Sequence, residues 1–222
     1  MKAYLAIIFA LVLSLALAVS AAAAPILFYF DTLPNGSVEK GGAVQGKDDL
    51  TFSIVSGGTM FGKFKVGAEY GIGKIKETGG DKDASLWSIK GGYRLLDLRA
   101  TKLDGIVATI VIDTERGAEK TKLDSIHVGV DFTQYFSEQL FLAASVVYAV
   151  DGSYDYGPGK DDDTPVSLYR FKLHYLLNEN WGAVLGYTKL NYEFDFTVPV
   201  IGKANADVSL GGWHLGVLYL FR

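Results

Sequence analysis

The sequence predicts an all-β fold: a transmembrane, antiparallel, up-and-down β-barrel of ten strands, with eight as the alternative, preceded by a signal peptide. Three observations carry this. The chain opens on an apolar leader, and no later apolar run has the length of a spanning helix. Alternation of bulky apolar with small or charged residues then recurs, segment after segment, to the end of the chain.

The leader has a short positive start, Met1-Lys2, an apolar stretch over residues 3–19, and small residues from Ser20 to Ala24. Pro25 is a poor residue to follow a cut directly, so cleavage is expected after Ala22 or Ala23. Residues 1–23 are therefore read as signal peptide and 24–222 as one barrel domain.

Hydrophobic residues make up 49% of the chain and charged ones 21%, a balance that fits neither a bundle of membrane helices nor a disordered chain. There are no cysteines, which excludes disulfides, thiolate zinc sites, iron–sulfur clusters and thiol nucleophiles. The formal charge of −4, without a basic cluster, argues against nucleic acid as a partner. Nothing in the sequence calls for a cofactor.

The alternation is clearest in four segments. In 63–73, Phe64, Val66, Ala68, Tyr70 and Ile72 oppose Lys63, Lys65, Glu69 and glycines. In 87–95, Trp87, Ile89, Tyr93 and Leu95 oppose Ser88, Lys90, Gly92 and Arg94. In 124–135, Ile126, Val128, Val130 and Phe132 oppose Ser125, His127 and Asp131. In 167–175, Tyr169, Phe171, Leu173 and Tyr175 oppose Arg170, Lys172 and His174. With less contrast, in 187–196, Leu190, Tyr192, Phe194 and Phe196 oppose Lys189, Asn191, Glu193 and Asp195. Weaker strand signals lie at 26–32, 50–54, 106–113 and 140–150.

Short connections (56–62, 98–105, 136–139, 177–180) alternate with polar or glycine-rich ones (33–48, 78–84, 115–121, 151–165, 198–207). That rhythm counts ten strands; eight result if 26–56 form an N-terminal extension or plug. Short turns belong on one side of a membrane and longer loops on the other.

The bulky faces would overfill the interior of a small barrel, whereas the opposite faces, small residues with isolated charges, suit a narrow lumen. The expected lumen network is therefore Lys63, Lys65, Glu69, Lys90, Arg94, Asp131, Arg170, Lys172, Glu193 and Asp195. Tyr and Trp near strand ends suit membrane interfaces, where a ring can sit in an apolar zone with its polar tip in water.

At the C-terminus, Trp213, Leu215, Val217, Tyr219 and Phe221 alternate to the end. Within them, His214-x-Gly216-x-x-Tyr219-x-Phe221 resembles the terminal β-signal of the small bacterial outer-membrane barrels of eight to ten strands. The resemblance covers the mature chain by pattern and only the last eight or so residues by motif. It departs from the family at Arg222, since members typically stop on the aromatic. It implies an outer-membrane location, lipid as surroundings, and the barrel assembly machinery as a partner that reads the last strand.

Some such barrels are enzymes that pair His with Ser or Asp near one rim. The nearest approach here is Ser125, His127 and Asp131 on one strand face, which reads more simply as a lumen hydrogen-bond group. Asp161-Asp162-Asp163 lacks the acid spacing and glycine of a calcium loop. The expected function is a non-enzymatic structural or surface role with a narrow, salt-bridged lumen. A narrow, weakly selective pore is the alternative, followed by a membrane enzyme or a soluble periplasmic carrier. Physiological role and oligomeric state stay open.

Overall fold

The computed structural model describes residues 25–157, 159–198 and 202–221. The expected signal peptide lies outside the described residues. The described chain runs β1 (Ile26–Gly42), β2 (Gly46–Phe61), β3 (Phe64–Glu77), β4 (Gly80–Asp97), β5 (Thr101–Arg116), β6 (Glu119–Tyr135), β7 (Leu140–Asp155), β8 (Lys160–Asp161), β9 (Val166–Leu176), β10 (Trp181–Val198) and β11 (Gly202–Phe221). The two-residue β8 pairs only with β7, above the wall; the other ten strands form a closed antiparallel barrel, sealed where β1 meets β11.

Closure has a definite stagger. Followed from Asp31 through β2, β3, β4 and β5, the register reaches β6 at Leu123. Followed through β11, β10, β9 and β7, it reaches β6 at Tyr135, 12 residues away. Ten strands with that stagger tilt by roughly 40°, given the usual rise and strand spacing.

Strands β1 and β2 are wall members, so ten is the strand number and no N-terminal plug exists among the described residues. The strands also run further than the sequence rhythm implies. The expected 33–48 connection is mostly strand, leaving only 43–45 between β1 and β2. Pro34, which cannot donate to a ladder, sits where the register shifts between Leu33 and Gly36, the kind of bulge that tolerates proline. Turns are tight at both ends. Gly62 and Gly117 adopt φ of 60° and 61°, which only glycine does without strain, and let β2–β3 and β5–β6 reverse at once.

Outside, the wall carries an apolar belt. On β3, Phe64, Val66 and Ile72 point outward and the next outward residues are Lys74 and Lys76. On β4, Leu95, Ile89 and Trp87 give way to Ser85 and Asp83; on β6, Val130, Val128 and Ile126 give way to Asp124 and Lys122. Phe64 is 62% exposed and Trp213 64%, the orientation of side chains facing a solvent of their own kind. On β3 the outward apolar residues run from Phe64 to Ile72, close to the ~9–11 residues in which a tilted strand crosses a membrane.

Aromatic pairs edge it on both sides. Tyr148 and Tyr169 share a hydrogen bond of 2.8 Å, and Tyr187 lies 5.4 Å from Trp213, at one edge. Phe64–Tyr93 (5.3 Å), Trp181–Tyr219 (4.6 Å) and Phe28–Phe221 (5.6 Å) mark the other, beside both chain ends. The strands extend well past the belt on the side away from the termini, the arrangement of short turns and longer outer extensions in which the terminal side is the periplasmic one.

The seam between β1 and β11 pairs Ile26 with Phe221 and continues to Thr32 opposite Leu215. Without its last residues, the lower seam would leave N–H and C=O groups facing lipid, each costing several kcal/mol against a total stability of about 5–15 kcal/mol. Deleting Tyr219 onward, or making Phe221→Asp, should abolish the heat-modifiable folded band in outer-membrane preparations. Deleting Arg222 alone should leave it intact.

Candidate functional site

Among the described residues, the lumen gathers most of the buried charge. It has two storeys. In the membrane-level lower storey, Asp131 of β6 accepts hydrogen bonds from Lys65 of β3 (2.6 Å) and Lys90 of β4 (2.8 Å). Lys65 also lies 3.5 Å from Asp104 of β5, which pairs with Arg94 of β4. Arg94 in turn reaches Asp97 at 3.4 Å, near the periplasmic mouth.

Two further ion pairs cross the lumen rather than follow the wall. Arg170 of β9 makes a two-pronged contact to Glu69 of β3, at 2.7 and 3.0 Å. Lys172, two residues along the same face, pairs with Asp31 of β1 and lies 4.9 Å from the Tyr29 ring. The buried lumen carboxylates Asp31, Glu69, Asp104 and Asp131 each meet a cation, as a low-dielectric interior demands.

The histidines all point into this storey. His214 places Nδ1 3.7 Å from Asp31 and Nε2 3.2 Å from the Thr188 hydroxyl. His174 stacks on Phe141 at 4.3 Å and meets the edge of Tyr29 at 5.5 Å. His127 is fully buried and makes no hydrogen bond through either ring nitrogen among the described residues. Ser125 donates instead to the Ile110 carbonyl (3.2 Å), and Asp131 serves lysines, so Ser125, His127 and Asp131 form no relay.

From the upper part of the belt upward the interior turns apolar. Ile110, Leu123, Val147, Tyr154, Leu168 and Leu190 form one buried cluster; Leu33, Val38, Leu50, Ile75 and Val208 form another. Tyr192, Phe194 and Leu210 pack against both and join them across the barrel. The Phe194 ring stands 4.3 Å from Tyr154. Here water replaces lipid outside, so the usual soluble-protein arrangement returns, apolar in and polar out.

That change of surroundings corrects the expected network. Lys65, Glu69, Lys90, Arg94, Asp131, Arg170 and Lys172 lie together in the lower lumen. Glu193 and Asp195 do not: they lie above the belt on the outer face of β10, exposed, while Tyr192 and Phe194 point inward. Lys63 sits in the exposed β2–β3 turn, its ammonium 6.0 Å from the Tyr93 ring. Sequence reasoning missed Asp31 and Asp104. Asp31 lies in a weakly alternating segment, and Asp104 in a stretch read as a connection. The in-phase series Leu27, Tyr29, Asp31 was the available signal.

His214 and Gly216 of the C-terminal motif face the lumen, while Tyr219 and Phe221 join the belt. A Cβ at Gly216 would collide with the Asp31 carboxylate, and one at Gly186 with the His214 ring. Both glycines therefore make room for the Asp31–His214 contact. Asp161, first of the three consecutive acids, accepts from the Asp195 and Asp163 backbone N–H groups at 2.7 and 3.1 Å, an anchoring role for the loop.

The outer rim carries its own network. Glu77 at the end of β3 gathers Lys40 (2.8 Å), Arg116 (3.1 Å) and Lys82 (3.3 Å), and Arg116 continues to Glu119 at 2.7 Å. Burial alone would raise the Glu77 carboxyl, but the Lys40 hydrogen bond and the charges of Lys40 and Lys82 outweigh it and hold it below the ordinary value.

No protein-family model matches the chain, and no curated protein matches it. Among solved structures, it is similar to the outer membrane protease OmpT of Escherichia coli, with a TM-score of 0.56 over 89% of this chain and 97% of that one, at 10% identity. Neisserial surface protein A gives 0.41 at 11% identity over 87% and 96%, and the translocator domain of the autotransporter NalP from Neisseria meningitidis 0.42 at 15% over 97% and 98%. The fold is the one that the OmpT outer-membrane β-barrel has, and the exposed apolar belt is what a wall facing lipid requires.

Two outcomes follow from the ion pairs. Glu69→Gln should strand Arg170 in the lumen and lower stability by up to about 3–5 kcal/mol, whereas Glu69→Met with Arg170→Met should recover most of it, as read by urea unfolding in vesicles. At the outer rim, a carboxyl held below its ordinary value contributes stability at neutral pH that is lost as pH falls through its folded-state value. Thermal midpoints should therefore drop between about pH 6 and about pH 3 more in the wild type than in Glu77→Gln, which lacks that titration.

Proposed function

We propose that this outer-membrane barrel is a sealed, non-enzymatic wall protein with a structural or surface role, its lumen narrow and salt-bridged below and plugged above. The observation that carries the reading is the apolar plug. One cluster, with Ile110, Leu123, Tyr154 and Leu190, and the other, with Leu33, Leu50, Ile75 and Val208, come from opposite halves of the wall. Tyr192, Phe194 and Leu210 pack against both, and ions do not cross a packed apolar core without large desolvation cost. The lower ion pairs support the same reading, because Arg170–Glu69 and Lys172–Asp31 tie opposite walls together.

The likeness to a protease concerns fold and does not carry an activity to this chain at 10% identity. A non-enzymatic reading is supported by the placement of His127, His174 and His214, all within the lower lumen and none at the outer rim. In this reading the partners are the membrane lipid around the belt and the assembly machinery that receives the last strand. Nucleic acid is not among them.

A pore is the second reading, favoured by one feature: a cavity of about 750 Å³ in the lower lumen. Planar-bilayer recording separates the two. Refolded wild-type protein should show no steady conductance, and a variant with Tyr154, Tyr192 and Phe194 all changed to Ala should begin to conduct. Steady channels in the wild type would overturn the sealed-barrel reading.

A further inference from the structure

We propose that the lower cavity is a binding site for one small organic anion, a carboxylate with an apolar body, admitted from the periplasmic end. The inference goes beyond the sealed-barrel reading and stands whether or not the barrel conducts.

The first argument is charge balance. Around the cavity, three cations, Lys65, Lys90 and Arg94, share two buried carboxylates, Asp104 and Asp131. The exposed Asp97 at the mouth, which Arg94 also touches, is matched by Lys102 at 3.5 Å. The other two lumen cations are each taken by one acid, Arg170 by Glu69 and Lys172 by Asp31. Among the described buried groups one positive charge is therefore left over, at the two lysines that converge on Asp131; the remaining acid of the cavity lining, Glu138, lies exposed in the β6–β7 turn at the mouth. An uncompensated cation in a confined interior favours a counter-anion.

The second argument is access. Asp131 keeps only 7% of its side-chain surface, but Lys65 and Lys90 keep 27% and 29%, and both line the cavity. Their ammonium groups have donors to spare, since each carries three.

The third is the opposite wall. Facing the charged strands β3–β6, strands β1, β7 and β11 contribute Leu27, Tyr29, Phe141, Leu218 and Leu220. His174 of β9 completes that wall, almost wholly buried and without a hydrogen bond at either ring nitrogen among the described residues. Arg170 and Lys172 of β9 also line the cavity, each already paired with its own acid, and a cavity of about 750 Å³ with an apolar patch facing a few convergent polar groups has the size and make-up of a small-molecule site. A carboxylate on Lys65 and Lys90 would restore neutrality while its apolar body covers the leucine and aromatic wall.

Calorimetric titration of refolded full-length protein in uncharged detergent tests this with three probes: phenylbutyrate, phenylbutanol (the same body without charge) and acetate (the charge without the body). Phenylbutyrate should bind at one equivalent and at least about tenfold more tightly than either control. Lys90→Gln leaves Asp131 to Lys65 and balances the lumen, so it should weaken phenylbutyrate by at least about tenfold with heat-modifiable folding intact. Asp131→Asn frees a second cation and should tighten it. Equal binding of the alcohol, or unchanged affinity in folded Lys90→Gln, would overturn the site. Acetate as tight as phenylbutyrate would overturn the role of the apolar wall. If Lys90→Gln does not fold, the wild-type comparison of acid with alcohol decides. A conductance result bears on none of these outcomes.

Discussion

Every long strand of this protein passes through two external solvents, and that single constraint organises the rest. At belt level the outside is lipid, where no water is available to satisfy a backbone group, so the sheet must close on itself with every ladder paired. The seam from Ile26–Phe221 to Thr32–Leu215 supplies that closure. Above the belt the outside is water, and the same strands must hide their apolar residues inside. The wall is continuous; the rule for its two faces inverts partway up.

The interior follows from the exterior. Where lipid takes the bulky side chains, the lumen is left to glycines and charges, and ion pairs such as Arg170–Glu69 fill it. Where water surrounds the wall, Leu190, Tyr192 and Phe194 turn inward and meet Leu168 of the adjoining β9 and Tyr154 of β7 beyond it. The charged storey and the apolar storey are one sheet answering two environments. The plug and the cavity beneath it both come from that switch.

The same switch marks how far the sequence could be read. Strands β3, β4, β6, β9 and β11 show their clearest alternation at belt level, where bulky means outward, and their faces were legible from Phe64, Trp87, Ile126, Tyr169 and Trp213. Strand β10 was misphased because its strongest alternation, 187–196, lies mostly above the belt. Its belt-level portion offers only the weaker contrast of Leu185 with Gly186. Leu50 and Phe52 of β2 turn inward for the same reason. Asp104 escaped notice because the ladder of β5 starts at Thr101, inside a stretch that composition marks as a turn. The contact of Asp31 with His214 depends on closure between the first strand and the last, and no local pattern reports a contact across the seam.

The inversion itself is directly measurable. The chain has no cysteine, so single cysteines can be placed on outward positions and spin-labelled in a refolded bilayer sample. Labels at Ile72 and Ile126 should be accessible to oxygen dissolved in lipid, while labels at Lys74, Asp124 and Glu193 should be accessible to a water-soluble nickel complex. A sharp exchange between the two relaxants from Ile72 to Lys74 and from Ile126 to Asp124 is the predicted result. Lipid-like accessibility at Glu193 and Asp124, continuous with that at Ile126, would contradict the account.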